Sequence, residues 1–217
     1  MLRSKWVLLA AVLLTVAAGY FLFRPSVNSW EIVNNPPRAE GPVAAFGDSL
    51  TAGFGSGGPG RDYPTVLSSL LGREVINLGV NGDTVSRAYG RIEKLEALSP
   101  SVVLLLLGGN DLLRRANLDE SFALLREMIR RIQSGGALVV LLGIDGLPLA
   151  APLGNRYLET AKATGAVLVP NVLKDILGKG SLMADGIHPN GEGYRIMAER
   201  VAKTLKPYLR LVSQPRP

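Results

Sequence analysis

Short apolar runs alternate along this chain with longer segments that have the periodicity of amphipathic helices. The apolar runs predict five β-strands, at residues 43–46, 75–78, 102–107, 137–142 and 167–169. The run at 102–107 consists entirely of valine and leucine, which is typical of a strand buried on both faces of a parallel sheet. The pattern therefore favours a sheet that is covered by helices on both sides.

The segments between the apolar runs predict these helices. They lie at residues 64–71, 85–98, 119–133, 156–164 and 192–205, with Asp62 and Asp119 standing near the expected N-caps of two of them. Strands that alternate with helices of this length form parallel sheets with right-handed crossovers. We therefore predict an α/β protein, a three-layer α/β/α sandwich with a five-stranded parallel sheet, formed by one domain over residues 43–210.

An apolar segment precedes this domain. Residues 6–23 are apolar or small, with Arg3 and Lys5 before them and Arg24 after them, which is typical of a targeting or membrane segment. We predict that residues 1–24 form an apolar helix. It is either a cleaved signal peptide or, as we favour, a signal anchor that stays in the membrane.

Both alternatives export the domain. The positive residues keep the N-terminus cytoplasmic, so an anchored protein would face the periplasm from the inner membrane, and a cleaved one would be periplasmic or secreted. Residues 25–42 are rich in proline, asparagine and glycine and predict a linker. Residues 211–217 predict a disordered tail.

The composition excludes several kinds of site. The chain has no cysteine, which rules out disulfides, thiolate zinc sites, iron–sulfur clusters and a lipid-modified cysteine. Its single histidine, His188, rules out a metal site built from several histidines. The net charge is +6, of which Arg3 and Lys5 before the apolar segment contribute +2. The remaining +4 is spread along the chain, which is compatible with an anionic membrane surface and does not indicate a nucleic-acid partner.

Polar residues follow the first three predicted strands and precede the last helix. These segments contain Ser49, residues 77–84, residues 108–111 and residues 185–190. Because the carboxyl ends of parallel strands meet at one edge of a sheet, we expect the segments to share one crevice. Acyl transfer requires a nucleophile, a base, a carboxylate that orients the base, and donors for the oxyanion, and these segments can supply all four.

Four short motifs in these segments carry a resemblance to a known family. The motifs are Gly47-Asp48-Ser49-Leu50, Gly82-Asp83-Thr84, Gly108-Gly109-Asn110-Asp111 and Asp185-Gly186-Ile187-His188-Pro189. They resemble, in order and spacing, the four signature blocks of the SGNH, or GDSL-type, hydrolases. The resemblance covers residues 43–205 and is nearest to the bacterial arylesterase, acyl-CoA thioesterase I and lysophospholipase L1 group. It implies the flavodoxin-like fold of these hydrolases.

The resemblance also implies a role for each motif. Ser49 would be the nucleophile, His188 the general base and Asp185 the carboxylate that fixes the histidine tautomer. The oxyanion hole would consist of the backbone N–H groups of Ser49 and Gly82 and the side-chain amide of Asn110. Thr51 stands where Gly-x-Ser-x-Gly hydrolases have a second glycine, so a strained nucleophile elbow is not implied.

Simpler structural roles remain open for several of these residues. His188 could be a packed or surface histidine, and Asn110 and Asp111 could form a turn and a helix cap after a buried strand. Asp48 and Asp83 are interpreted as braces for their loops. The remaining pair, Arg114 and Arg115, is interpreted as solvated, with a substrate phosphate as the alternative partner.

The function that the resemblance implies is that of a serine esterase without cofactor or metal. Its substrates would be small carboxylic esters, and also thioesters or lysophospholipids. A carbohydrate or cell-wall O-acetyl esterase is the alternative activity, and a membrane-tethered binding protein without catalysis is the alternative class. The glycine-rich residues 53–60 have few side chains that could enclose a pocket, so the sequence does not predict the acyl-chain length.

Overall fold

The computed structural model describes residues 28–145 and 151–210 and contains a five-stranded parallel sheet. The strands are β1 (Val43–Gly47), β2 (Val75–Gly79), β3 (Val102–Leu106), β4 (Leu138–Leu142) and β5 (Val167–Val169). Their order in the sheet is β2-β1-β3-β4-β5, and every pair of neighbours is parallel. This is the flavodoxin-like order, in which the chain changes direction across the sheet between β1 and β3.

Helices connect the strands and cover both faces of the sheet. They are α1 (Ser49–Ala52), α2 (Tyr63–Leu71), α3 (Val85–Tyr89), α4 (Ile92–Glu96), α5 (Gly109–Leu113), α6 (Leu118–Ser134), α7 (Ala151–Thr164) and α8 (Gly191–Arg210). Since crossovers are right-handed, α2 lies on one face, where it packs against α8. The other face carries α6, which packs against α3 and α7. The predicted three-layer fold is therefore confirmed, whereas the predicted N-terminal helix lies outside the described residues.

The core forms between the sheet and these two layers. All residues of the inner strands β1, β3 and β4 are buried, as continuous apolar runs predict, and so are the three residues of β5 at one edge of the sheet. β2 lies at the other edge, and only Val75 of its five residues is buried. Two buried tyrosines use their hydroxyls at the carboxyl edge of the sheet, because Tyr157 donates to the Leu107 carbonyl and Tyr194 to the Phe54 carbonyl.

Some predicted helix boundaries differ from the structure. The helix predicted at residues 85–98 is two short helices, because the chain turns at Gly90 and Arg91 between α3 and α4. Asp119 is not the cap of α6; Asn117 is, and its side-chain oxygen accepts hydrogen bonds from the N–H groups of Asp119 and Glu120. The short helices α1 and α5 follow strands directly and were not predicted, since each is too short to show a period.

The predicted linker is held against the domain over its described part, residues 28–42. It has no helix, and it crosses the edge of the sheet where the strands begin. The Trp30 indole donates to the Ala166 carbonyl at 2.9 Å, and the Asn34 amide to the Ala137 carbonyl at 2.9 Å. The Arg38 guanidinium donates to the Pro100 carbonyl at 2.9 Å. These carbonyls precede β5, β4 and β3, so this segment lies at the edge opposite to the predicted crevice.

The described residues contain no helix with the length and apolar character needed to span a membrane. The apolar segment at residues 6–23 and the predicted tail at 211–217 lie outside them.

Candidate active site

Ser49 lies at the carboxyl end of β1, next to the position where the chain changes direction across the sheet. Asp48 follows the last residue of the strand and caps α1, with its Oδ1 accepting a hydrogen bond from the Leu50 N–H at 3.0 Å. Ser49 is the first residue of this four-residue helix and is partly exposed. A short helix that starts directly at the strand end thus presents the serine hydroxyl at the edge of the sheet.

Ser49, His188 and Asp185 form a continuous hydrogen-bonded chain. The His188 Nε2 lies 3.0 Å from Ser49 Oγ, and His188 Nδ1 lies 2.7 Å from Asp185 Oδ2. With the proton on Nδ1, His188 donates to Asp185 and accepts from the serine hydroxyl. This arrangement can remove the proton from Ser49 as the oxygen attacks a carbonyl carbon.

The loop before α8 holds Asp185 in its ionised form. Its Oδ1 accepts hydrogen bonds from the backbone N–H groups of Ile187 and His188, both at 2.8 Å. These bonds, above all the one from Ile187, lower the pKa of Asp185 to about 2. Asp185 is 44% exposed and His188 only 14%, so a carboxylate at the surface orients an imidazole that is mostly covered.

The predicted oxyanion donors lie on two loops that touch each other. Asn110 is the second residue of α5, which begins three residues after the end of β3, and its Nδ2 donates to the Asp83 carbonyl at 2.9 Å. The second contact of this nitrogen, with Asp48 Oδ2, is longer at 3.4 Å. Gly82 precedes Asp83 in the loop after β2 and has φ +75°, which favours glycine. No described residue accepts a hydrogen bond from the Gly82 N–H.

Three buried carboxylates lie on the segments that carry Ser49, Gly82 and Asn110. Asp48, Asp83 and Asp111 are each at most 4% exposed. Asp83 pairs with Arg91, whereas Asp111 accepts hydrogen bonds from the Val85 N–H and the Ser121 hydroxyl. Burial raises the pKa of Asp48 to about 7, and the negative charges of Asp83 and Asp111 add to this effect.

An apolar pocket opens beside Ser49. Its polar residues are Asp48, Ser49, Asn110 and His188, which include the predicted nucleophile, base and amide donor. Its apolar side chains come from six separate parts of the chain and are Leu50, Leu112, Leu113, Ile144, Leu153, Leu173 and Ile187. The pocket can therefore surround an apolar group that is attached to a carbonyl carbon at Ser49.

The described residues contain no group of three or more His, Cys, Asp or Glu side chains arranged to hold a metal ion. The chemistry that the described site supports is nucleophilic acyl transfer by a serine.

Comparison with known proteins places this geometry in a family. The sequence profile of the GDSL-like Lipase/Acylhydrolase family matches residues 45–196. The chain belongs to this family. The match includes Ser49, Gly82, Asn110, Asp185 and His188.

Individual relatives agree with the family. The Esterase TesA of Pseudomonas aeruginosa is 34% identical over 185 residues, which cover 77% of this chain and 89% of that protein. A thioesterase 1/protease 1/lysophospholipase L1 of Escherichia coli K12 is 31% identical over 174 residues, which cover 75% of this chain and 82% of that protein. A crystal structure of TesA superimposes with a TM-score of 0.69 at 31% identity and covers 76% of this chain and 98% of that one.

The structure gives this GDSL-family protein two site features that the sequence did not indicate. Arg91 donates hydrogen bonds to Asp83 Oδ2, the Leu78 carbonyl and the Gly47 carbonyl, so it joins the ends of β1 and β2 to the loop that contains Gly82. The second feature is the ring of Phe54, which lies against the imidazole of His188. No signal in the sequence indicated the first, because Arg91 falls inside the single helix predicted at residues 85–98, and nothing in the glycine-rich loop pointed to the second.

The arginines that follow Asn110 have different surroundings. Both Arg114 and Arg115 are exposed, but the Nη2 of Arg114 donates to the Gly82 carbonyl at 3.2 Å. Arg114 is therefore attached to the predicted oxyanion loop and is not simply solvated.

Proposed function

We propose that this protein is a serine esterase that hydrolyses carboxylic esters with apolar acyl groups through an acyl-enzyme, and that thioesters and lysophospholipids are further substrates. The hydrogen-bonded chain Ser49–His188–Asp185 beside an apolar pocket carries the proposal. Membership of a family of lipases and acylhydrolases supports it.

In the proposed first step, Ser49 Oγ attacks the ester carbonyl carbon and His188 Nε2 takes the hydroxyl proton. The carbonyl oxygen becomes an oxyanion, which the N–H groups of Ser49 and Gly82 and the Asn110 amide would stabilise. His188 then gives its proton to the leaving alcohol or thiol as that bond breaks. Asp185 stabilises the imidazolium and keeps the proton of the neutral ring on Nδ1.

In the second step, water replaces the alcohol. His188 takes a proton from water, the resulting hydroxide attacks the acyl carbon, and His188 returns the proton to Ser49 Oγ. The products are a carboxylic acid and the free serine.

The acyl group is proposed to occupy the apolar pocket. Leu112, Leu113, Ile144 and Leu153 form much of its wall, and a hydrocarbon chain gains free energy in proportion to the apolar area that it buries there. An acetyl group would bury little of this surface. The pocket therefore supports esters of longer acyl chains over the acetyl esters of a carbohydrate esterase.

A substrate series tests the function. Hydrolysis of p-nitrophenyl esters from acetate to palmitate is compared with the release of acetate from an acetylated glycan. We expect kcat/KM to rise from acetate toward longer chains, and Leu113→Ala to reduce that rise. Preference for the acetylated glycan would instead identify an O-acetyl esterase, and no hydrolysis of any ester would contradict the proposal.

Export of the domain also remains a proposal. We propose that residues 1–24 direct the protein out of the cytoplasm, either as a membrane anchor or as a cleaved signal peptide. Cell fractionation with N-terminal mass analysis of the mature protein decides between the two. An uncleaved protein in the membrane fraction supports the anchor, a new N-terminus near Gly19 supports cleavage, and an intact protein in the cytosol contradicts export.

A further inference from the structure

Three large apolar side chains are exposed at the carboxyl edge of the sheet. They are Phe54, Val80 and Leu113, with 49%, 43% and 46% of their surfaces exposed. Each follows the end of a different strand, since Phe54 comes after β1 and α1, Val80 directly after β2, and Leu113 after β3 at the end of α5. Single exposed apolar residues are common in soluble proteins, but several at one edge of a domain indicate a surface that contacts an apolar partner.

The turn between α5 and α6 has a continuous apolar surface at this edge. A shallow hollow there is lined by Leu112, Leu113, Arg115, Ala116 and Leu118. Two of these residues, Leu112 and Leu113, also line the acyl pocket, so the hollow and the pocket share one wall. Leu113, Arg115 and Ala116 are exposed. The turn therefore extends the apolar wall of the pocket to the outside of the domain.

Two positive charges adjoin this apolar surface. Arg114 and Arg115 are the two residues after α5, both are exposed, and neither forms an ion pair with a described residue. The one described acceptor of Arg114 is the Gly82 carbonyl, which carries no net charge. The next exposed acid along the chain, Asp119, is paired with Arg156. Apolar side chains together with uncompensated arginines are typical of segments that bind an anionic lipid surface.

The described chain starts close to the same edge. The Asn28 side chain accepts a hydrogen bond from the Leu168 N–H at 2.7 Å and donates to the Leu168 carbonyl at 3.4 Å. Trp30 then binds the Ala166 carbonyl, so the chain first runs along β5 from its carboxyl end toward its start.

This starting point limits how far the domain can lie from the apolar segment at residues 6–23. Asn28 is five residues beyond that segment, and five residues span at most about 18 Å when fully extended. In the sheet, β5 is two strands away from β3, which is about 10 Å. A bilayer that held residues 6–23 would therefore lie within reach of the turn after α5.

We propose that the turn between α5 and α6, residues 112–118, is a docking surface that contacts an anionic lipid bilayer when residues 6–23 anchor the protein. The inference rests on the anchored form of the proposed export and is independent of the esterase function. Leu113 would enter the boundary between head groups and acyl chains, and Arg114 and Arg115 would bind lipid phosphates. The mouth of the acyl pocket would then open toward the bilayer.

A chain without cysteine allows a direct test, because one introduced cysteine can be labelled alone. The full-length protein carries either Ala116→Cys, in the docking turn, or the matched control Ala97→Cys, at the opposite edge before β3; both alanines are exposed. Each protein is labelled with an environment-sensitive dye and reconstituted in vesicles of phosphatidylcholine with or without phosphatidylglycerol. Quenching by a lipid-bound nitroxide reports contact with the bilayer, and quenching by iodide reports contact with water. Flotation of the vesicles reports separately whether the chain is anchored.

We expect the lipid-bound nitroxide to quench the dye at position 116 and iodide to quench the dye at position 97. In the Ala116→Cys protein, Arg115→Gln should lower the ratio of docked to undocked molecules about five-fold in vesicles with phosphatidylglycerol, the effect of one positive charge near an anionic surface. The same change should have little effect in phosphatidylcholine alone. Leu113→Asp should abolish the contact in both kinds of vesicle.

A dye at position 116 that is open to iodide in floating vesicles would overturn the proposal, because the chain would then be anchored with the turn in water. Equal quenching at the two positions would also overturn it, since the domain would have no preferred face. If the protein does not float with the vesicles, the proposed anchor is wrong, and this inference fails with it. Hydrolysis of soluble p-nitrophenyl esters needs no bilayer and tests the esterase function independently.

Discussion

The Nε of Arg91 lies 2.6 Å from Oδ2 of Asp83, and both side chains are largely buried, with 16% and 5% of their surfaces exposed. The other nitrogens of the guanidinium bind the carbonyls of Leu78 and Gly47, and its carbon lies 4.1 Å from the centre of the Phe46 ring. One side chain thus ties two strand ends to the loop that is proposed to stabilise the oxyanion.

Removing this arginine should affect both stability and catalysis. Arg91→Ala leaves the Asp83 carboxylate buried without its cation, which we expect to lower the free energy of unfolding by about 3–5 kcal/mol. It should also lower kcat, because the Asp83 carbonyl holds the Asn110 amide. Urea unfolding and kinetics below the unfolding temperature measure the two effects.

A second arginine provides a matched control for this prediction. Arg131 makes two hydrogen bonds with Glu96, but both side chains are more than a third exposed. Arg131→Ala should therefore have a much smaller effect on stability and none on kcat. Similar losses for the two variants would contradict the role assigned to Arg91.

Asn110 should act on the transition state more than on the bound substrate. Asn110→Ala is expected to lower kcat by about 10²–10³ with little change in KM, since the oxyanion exists only in the transition state. Asn110→Asp has nearly the same shape but offers a negative charge instead of a donor, so it should lose at least as much. A raised KM with unchanged kcat would assign Asn110 to ground-state binding.

Asp48 should make stability depend on pH. Burial raises its pKa to about 7 in the folded protein, against about 3.9 for an unfolded aspartate, so the folded state holds the proton more tightly. This contribution is complete below pH ~4 and is lost as the pH rises through ~7. Asp48→Asn does not titrate, so the stability of the wild type relative to this variant should fall from pH 5 to pH 8. Urea unfolding of both proteins at the two pH values measures this, and parallel changes would contradict it.

The kinetics should follow the only imidazole of the chain. The proposed base must be neutral, so kcat/KM should rise with pH through one step whose midpoint matches the titration of the His188 ring followed by NMR. If the ionisation of Asp48 also affects kcat/KM, it adds a second step to the same pH profile, and this step should be absent from the Asp48→Asn variant. Asp185→Asn should lower kcat by up to ~10⁴, because the amide does not enforce the required tautomer. A ring that titrates far from the kinetic step would exclude His188 as the base.

Much of the fold could be predicted from the sequence because inner strands of a parallel sheet are continuous apolar runs. Because parallel strands end at the same edge of the sheet, the residues that follow the apolar runs were expected at that edge. Ser49 and Asn110 lie there in the structure. The three-residue separation of Asp185 and His188 likewise allowed a contact within one loop.

Other features depend on contacts between distant residues and were not predictable. The pocket wall combines Leu112, Ile144 and Ile187, which are brought together only by the folded sheet. The raised pKa of Asp48 depends on its burial, which its position in a turn motif does not reveal. Asn117 and Asp119 are both good caps, and only the backbone geometry selects Asn117.

The most direct test of the account is covalent labelling of Ser49. An organophosphonate fluoride should add one phosphonyl group per chain, on the peptide that contains Ser49, and esterase activity should be lost in proportion to the labelled fraction. Ser49→Ala should keep the melting temperature of the wild type, remain unlabelled and lose activity by roughly 10⁴- to 10⁶-fold. A folded Ser49→Ala protein that still hydrolyses esters at a rate near that of the wild type would contradict the proposed mechanism.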